Sequence, residues 1–115
     1  MGTGPTNPET RALIINLNRA ARKEKVALWK RIAEELSRPT RQRREVNIFK
    51  INQYANSGET ALIPGKVLGD GELTKDIKVA AFSFSQSARA KIKSPLSIGE
   101  LLAKNPKGKN VRIIG

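Results

Sequence analysis

The amino-acid sequence predicts an α/β fold, in which short strands alternate with short helices behind an N-terminal helical segment. Two observations lead to this prediction. The first half of the chain repeats apolar residues at the three- and four-residue spacing of amphipathic helices. The second half contains short β-type runs separated by Gly and Pro. A length of 115 residues suits one compact domain, with little room for a second core.

Two helices are predicted near the N-terminus, after a short tail over residues 1–6. Asn7 can cap the first helix, with Pro8 in its first turn. A second helix should end at Ser37, because the residues that follow include Pro39. Trp29 is predicted to lie in the core, since it shares helical spacing with the other apolar residues of this helix. These are Val26, Ile32, Ala33 and Leu36.

The remaining elements are shorter. Asn47 is expected to cap a third helix, so that residues 7–58 form a helical, basic segment. Ser85 and Ser97 can each cap a further helix. Residues 59–115 are then a strand–helix core that ends in a basic C-terminal arm. The predicted strands are 60–63, 66–68, 77–82 and 111–114.

Charge indicates the class of partner. The chain has 22 Lys and Arg against 10 Asp and Glu, a formal net charge of +12. Solubility alone does not require such a surplus, so a polyanionic partner is expected. An anionic membrane is the competing polyanion, but no apolar run approaches the roughly 20 residues of a spanning helix. No signal-type run opens the chain either, and we expect a cytoplasmic protein that does not bind membranes.

Composition argues against catalysis. The chain has no Cys and no His, which excludes disulfides, thiolate ligands and imidazole bases. We therefore expect no enzyme activity, no cofactor and no small-molecule substrate. Asp70, Glu72 and Asp76 form an acidic cluster that can be a weak Mg²⁺ site or simply a solvated turn, and no metal site is predicted. Aromatic residues are few, which favours phosphate contacts over successive base stacking.

The densest run of positive charge predicts the main nucleic-acid contact. Residues 38–44 contain four Arg and no acidic residue. A guanidinium pairs with phosphate oxygens at two points and can stack on exposed bases. A solvated basic loop is the simpler alternative, but the net charge of the chain favours RNA binding. The four predicted contacts are Arg38, Arg41, Arg43 and Arg44.

Three further groups of basic residues are weaker candidates for RNA contacts. Lys66 lies between Pro64-Gly65 and a Gly-rich turn that can approach a phosphate, although a hairpin turn is the simpler interpretation. Near Lys104, the basic C-terminal residues form either a flexible tail or an arm that orders on RNA. The third group is equally well explained as the polar face of a helix, and its members are Arg19, Arg22, Lys23 and Lys25. The C-terminal candidates are Lys107, Lys109 and Arg112.

Several segments resemble, in order, the signatures of the L eighteen-e family of ribosomal proteins. They cover nearly the whole chain, and the length is similar to that of archaeal members. Their order and spacing together are highly specific. The segments are Gly4-Pro5-Thr6-Asn7-Pro8-Glu9-Thr10-Arg11, the run 38–52, Pro64-Gly65-Lys66-Val67-Leu68-Gly69 and Asn105-Pro106-Lys107-Gly108.

The resemblance implies a constituent of the large ribosomal subunit, bound to its RNA and to neighbouring ribosomal proteins. It also implies a fold related to the bacterial L fifteen type, an irregular layered superhelix of short strands and helices. Lys50 matches the central pattern of the family and joins the RNA-binding candidates, whereas Thr40 and Arg44 depart from that pattern. A non-ribosomal RNA-binding protein or RNA chaperone is the alternative, which the order of the signatures opposes.

Overall fold

The computed structural model describes residues 8–37 and 45–114, and it has the predicted mixture of helices and strands. The helices are α1 (Pro8–Glu24), α2 (Ala27–Leu36), α3 (Ile48–Tyr54), α4 (Gln86–Lys91) and α5 (Ile98–Lys104). The strands are β1 (Glu45–Asn47), β2 (Thr60–Leu68), β3 (Lys78–Phe84), β4 (Leu96–Ser97) and β5 (Val111–Ile113). The predicted α/β class is confirmed.

Strand β2 organises the sheet. It pairs in parallel with β3 along one edge, and β3 pairs in parallel with β4. The other edge of β2 carries two short strands, both parallel to it. Strand β5 pairs with residues 60–62, and β1 pairs with residues 66–68. One nine-residue strand therefore joins segments from both halves of the described chain.

The predicted break between strands 60–63 and 66–68 at Pro64-Gly65 is wrong. Strand β2 runs through both residues, which are buried, and its register with β3 shifts between Ile63 and Lys66. A prolyl residue has no N–H to donate to a ladder, and the irregularity accommodates it within the strand. Every strand pair among the described residues is parallel, so a tight turn cannot connect the two strands of a pair. Helices lie in the connections from β1 to β2, from β3 to β4 and from β4 to β5, whereas residues 69–77 connect β2 to β3 without a helix.

Two apolar clusters lie on opposite faces of the sheet. Successive residues of β2 alternate between them: Ala61 and Ile63 belong to one cluster, and Leu62 belongs to the other. The first cluster also contains residues of α3 and α4, and the second contains residues of α1, α2 and α5. The sheet is thus a central layer between two helical layers. Trp29 is fully buried in the second cluster, which confirms its predicted place in the core.

The predicted helix starts are largely confirmed. Ser85 precedes α4, and its Oγ accepts a hydrogen bond of 3.2 Å from the Ala88 N–H. Ser97 and Glu100 form a reciprocal capping box at α5, with both bonds at 3.1 Å, and these bonds lower the pKa of the Glu100 carboxyl. Asn47 does precede α3, but its Oδ1 accepts from the Asp70 N–H at 3.3 Å instead of capping the helix.

The predicted C-terminal strand 111–114 is confirmed as β5, whereas the loop before it differs from an arm that orders only on RNA. Strand β5 is part of the sheet, and the loop before it is held by side chains. Trp29 Nε1 donates to the Pro106 carbonyl at 2.6 Å, and Asn105 Nδ2 donates to the Lys109 carbonyl at 2.8 Å. Because the partner strand β2 lies about 50 residues earlier in the chain, local sequence patterns do not indicate this pairing.

Candidate nucleic-acid interface

The four arginines predicted as the main contact lie outside the described residues, in the segment 38–44. The structure describes the residue that follows them, Glu45, as the first residue of β1. Glu45 is opposite Lys66 in the parallel register, and the Lys66 side chain is exposed. The arginine-rich segment therefore leads into the sheet beside a further predicted basic contact.

The basic residues predicted near the junction of α1 and α2 are exposed. Arg19, Arg22 and Lys23 lie in the second half of α1. Lys25 is in the turn between the helices, where its backbone has a φ of +57°. Cations near the carboxyl end of a helix are favoured by its dipole, so Arg22 and Lys23 in the last turn stabilise α1.

Arg112 has a partner within the protein. Its Nε and Nη2 donate to the two carboxylate oxygens of Glu59, at 3.0 and 3.2 Å. This pair lowers the pKa of Glu59, as does a hydrogen bond of 2.6 Å from the Asn56 N–H. The guanidinium is therefore already engaged in the described structure. Lys107 and Lys109, by contrast, are exposed in the loop before β5.

At the carboxyl ends of β1, β2 and β3 lies a clamped turn, residues 69–71. The Phe49 N–H donates to the Asp70 carbonyl at 3.0 Å. Lys91 Nζ donates to the carbonyls of Gly69 and Gly71, at 2.7 and 3.0 Å. We call this turn, together with Phe49 and Lys91, the carboxyl-end clamp. Lys50, the next residue of α3, is partly exposed.

Beside the carboxyl-end clamp, α3 and α4 present aromatic and basic groups. Phe49 and Tyr54 are 54% and 55% exposed, unlike the other large side chains of α3, Ile48 and Ile51, which are fully buried. The Arg89 guanidinium lies 5.5 Å from the centroid of the Phe84 ring, within the range of a cation–π contact. Aromatic residues are few in the sequence, and two of them, Phe49 and Tyr54, are exposed on this surface.

A second basic surface lies at the opposite, amino ends of the strands. Two adjoining cavities, of about 340 and 300 Å³, share Lys78, Leu96 and Lys104 as lining residues. Lys93 lines the first cavity and Lys109 lines the second. We call these two cavities, with their four lysines, the amino-end groove. Asp76 is the acidic residue that lines it.

Sequence patterns did not find this groove. Lys109 was a candidate as part of the predicted arm, and Lys104 was considered with it, but Lys78 and Lys93 were missed. The four lysines span residues 78–109 and form no charge run in the sequence. Parallel pairing of β2 with both β3 and β5 brings them to one end of the sheet.

Two other features of the described residues bear on function. No group of three or more acidic side chains is arranged to hold a metal ion there, and Asp70, Glu72 and Asp76 do not converge on such a site. Among the helices of this part of the chain, none has both the length and the apolar character needed to cross a membrane.

Comparison with known proteins decides the family. A family model described as ribosomal proteins 50S-L15, 50S-L18e and 60S-L27A matches residues 26–94, more than half of the chain. The chain belongs to this family. The match includes α2, the arginine-rich segment, β1 to β3 and α4, so the family pattern spans both of the predicted segments.

Curated relatives extend the similarity over nearly the full length. A protein of Methanopyrus kandleri named large ribosomal subunit protein eL18 is 50% identical over 121 residues, covering 97% of this chain and 95% of its own. The Methanosphaerula palustris protein of the same name is 50% identical over 113 residues, covering 95% and 93%. The Archaeoglobus fulgidus protein is 44% identical, covering 95% and 97%. The resemblance seen in the sequence is confirmed.

Proposed function

We propose that this chain is a structural constituent of the large ribosomal subunit in the cytoplasm, where it binds and stabilises large-subunit ribosomal RNA. The observation that carries the proposal is similarity over nearly the whole chain to archaeal proteins named as large ribosomal subunit proteins. Neighbouring ribosomal proteins are its further partners. The chain supports translation as a structural component and not as an enzyme.

Co-sedimentation tests membership of the subunit. The tagged full-length chain, expressed in its source organism, should sediment with large-subunit particles and should remain with them after a wash in moderate salt. A chain that stays in the light fractions, or that sediments with many unrelated RNAs, would indicate a free RNA-binding protein or RNA chaperone and would contradict the proposal.

Phosphate neutralisation should dominate RNA binding. Lys and Arg outnumber acids by 22 to 10, whereas the aromatic content is 4%. Each phosphate neutralised releases counterions, so the logarithm of the affinity should fall linearly with the logarithm of salt concentration, with a slope of about −0.7 to −0.9 per neutralised phosphate. Filter binding of a large-subunit RNA transcript over a salt series measures this slope. A nearly flat line would contradict a phosphate-led mechanism.

The arginine-rich segment is proposed as the principal anchor. Four guanidiniums in seven residues have no acid within the segment, and the segment leads into β1 beside the exposed Lys66. Replacing Arg38, Arg41, Arg43 and Arg44 by Gln should leave the fold intact, because the sequence predicts this segment as a solvated loop and charges in such loops contribute little to stability. It should weaken RNA binding and flatten the salt slope by up to about 0.7–0.9 for each phosphate that is no longer neutralised.

A matched control separates local contacts from net charge. Lys30 and Arg31 line a surface hollow of α2 together with Glu34 and Glu35, so their charges are balanced nearby. The pair Lys30→Gln and Arg31→Gln removes as much charge as Arg41→Gln with Arg43→Gln. The arginine pair should flatten the salt slope clearly more. Equal slopes for the two pairs, or a wild-type slope in the quadruple variant, would reject the anchor.

A further inference from the structure

We propose that the amino-end groove binds the phosphate backbone of an RNA segment, in addition to the contact proposed for the arginine-rich segment. This inference rests on the proposed function and adds a site to it. The groove residues that take the phosphates are Lys78, Lys93, Lys104 and Lys109.

The fold itself directs these lysines to one surface. Lys78 begins β3, and strand alternation places it on the same side as Ala80, which packs in the cluster that contains α5. Lys104 is the last residue of α5. The partly buried Leu96, the first residue of β4, lines both cavities between these two lysines. The groove therefore has an apolar element flanked by ammonium groups.

The charges of the groove are not neutralised from within. Among residues 8–37 and 45–114, none of the four ammonium groups forms an ion pair. Asp76 is the acidic residue in the lining, against four lysines. Glu100 is close enough to Lys104 for that charge to help lower its pKa, so Asp76 and Glu100 together still leave a surplus of positive charge beside four lysines. Clustered positive charge in a cleft concentrates anions there.

One wall of the groove is fixed before any ligand arrives. Lys109 is held through its backbone: its carbonyl accepts from Asn105 Nδ2 at 2.8 Å, and its N–H donates to Asn105 Oδ1 at 3.2 Å. The Asn110 carbonyl accepts from the Thr60 N–H at 2.8 Å. The buried Trp29 anchors Pro106 of the same loop. A preorganised loop loses little conformational entropy on binding, which favours affinity.

The chemistry of the groove fits an RNA backbone better than other anions. A lysine ammonium binds phosphate as a point charge without demanding one geometry, which suits a chain of successive phosphates. Two cavities that adjoin along Lys78, Leu96 and Lys104 offer an extended path and not a single pocket. An acidic segment of a neighbouring protein is the competing ligand, and the experiment below separates it from RNA.

The first measurement compares two double variants of the full-length chain. Lys78→Gln with Lys104→Gln removes the lysines shared by both cavities, and Lys30→Gln with Arg31→Gln removes the same charge from the balanced surface of α2. With a large-subunit RNA transcript, the groove variant should flatten the salt slope by up to about 0.7–0.9 for each phosphate that is no longer neutralised, and the α2 variant should leave it near wild type. Equal slopes would overturn the proposal. Thermal melting verifies that both variants fold.

The second measurement is protection of lysines from acetylation, read by mass spectrometry. With the RNA transcript alone, the four groove lysines should be acetylated several-fold more slowly than in the free protein, while Lys30 should not change. Unchanged groove lysines in a chain that does bind the RNA would overturn the groove and leave the proposed function intact. Protection only in complete large-subunit particles would assign the groove to a protein partner. Failure of the wild-type chain to bind the RNA would instead contradict the proposed function.

Discussion

The two ends of the sheet use lysines for different purposes. At the carboxyl-end clamp, Lys91 donates to two backbone carbonyls of the turn and so supports the fold. At the amino-end groove, Lys93 lines a cavity and has no ion pair among the described residues. The two lysines are two positions apart in the sequence. The comparison teaches that basic residues counted together in a net charge can have separate structural and ligand-binding roles.

The largest expected effect is at Trp29, which holds the loop that forms one wall of the amino-end groove. Trp29→Ala removes a fully buried aromatic side chain and should reduce the free energy of unfolding by about 3–5 kcal/mol. Trp29→Phe keeps most of the packing but removes the hydrogen bond to the Pro106 carbonyl, so its cost should be clearly smaller. Chemical denaturation measures both. An unchanged stability of Trp29→Ala with weakened RNA binding would move this residue from core to interface.

The next effect tests the carboxyl-end clamp. Gly71 has a φ of +100°, and an added Cβ would lie 2.7 Å from the Phe49 backbone N and 2.8 Å from its Cα. Gly58 has a similar φ of +89° with nothing within 4 Å, so Gly58→Ala should show only the backbone strain of about 1–3 kcal/mol. Gly71→Ala should be more destabilising, because the start of α3 must move. Equal decreases in melting temperature would argue against a tightly packed clamp.

A smaller effect contrasts Lys91 and Lys93 directly. Lys91→Gln should reduce stability by about 0.5–1.5 kcal/mol because its hydrogen bonds to the turn are removed, with little change in the salt slope of RNA binding. Lys93→Gln should leave stability near wild type and flatten the slope by up to about 0.7–0.9. Denaturation and salt titration on both variants give the comparison. A change in salt slope for Lys91→Gln and a loss of stability for Lys93→Gln would contradict the separate roles proposed for the two lysines.

The smallest effect concerns Glu59 and Arg112, a pair at the amino ends of β2 and β5. The hydrogen bonds from Arg112, with help from the Asn56 N–H and the charge of Lys75, lower the pKa of Glu59 in the folded protein. Its contribution to stability is therefore present above the ordinary glutamate value of about 4.3 and is lost as pH falls through the lowered folded-state pKa. In the variant Arg112→Gln, stability should fall less as the pH is lowered. Melting temperatures measured over a pH series test this, and identical profiles for the variant and the wild type would contradict the role of the pair.

Local sequence chemistry determined several features of this protein. The capping serines, Ser85 and Ser97, mark helix starts because they bond to amides only three residues away. The helical spacing of Trp29 placed it in the core, and the surplus of Lys and Arg indicated a polyanion. The family signatures supplied the ribosomal context. Each of these inferences depends on neighbours in sequence or on composition, which the chain carries before it folds.

Tertiary structure decided the rest. Strand β2 continues through Pro64-Gly65 because pairing with β3 and burial in the core outweigh the turn preference of that dipeptide. Residues 111–113 were predicted as a strand, but the folded chain decides their partner, since β2 is distant in the sequence and near in space. The amino-end groove exists only because parallel strand order gathers lysines from separate elements and loops. Pairing between distant segments is a property of the folded chain, so a local sequence pattern does not predict it.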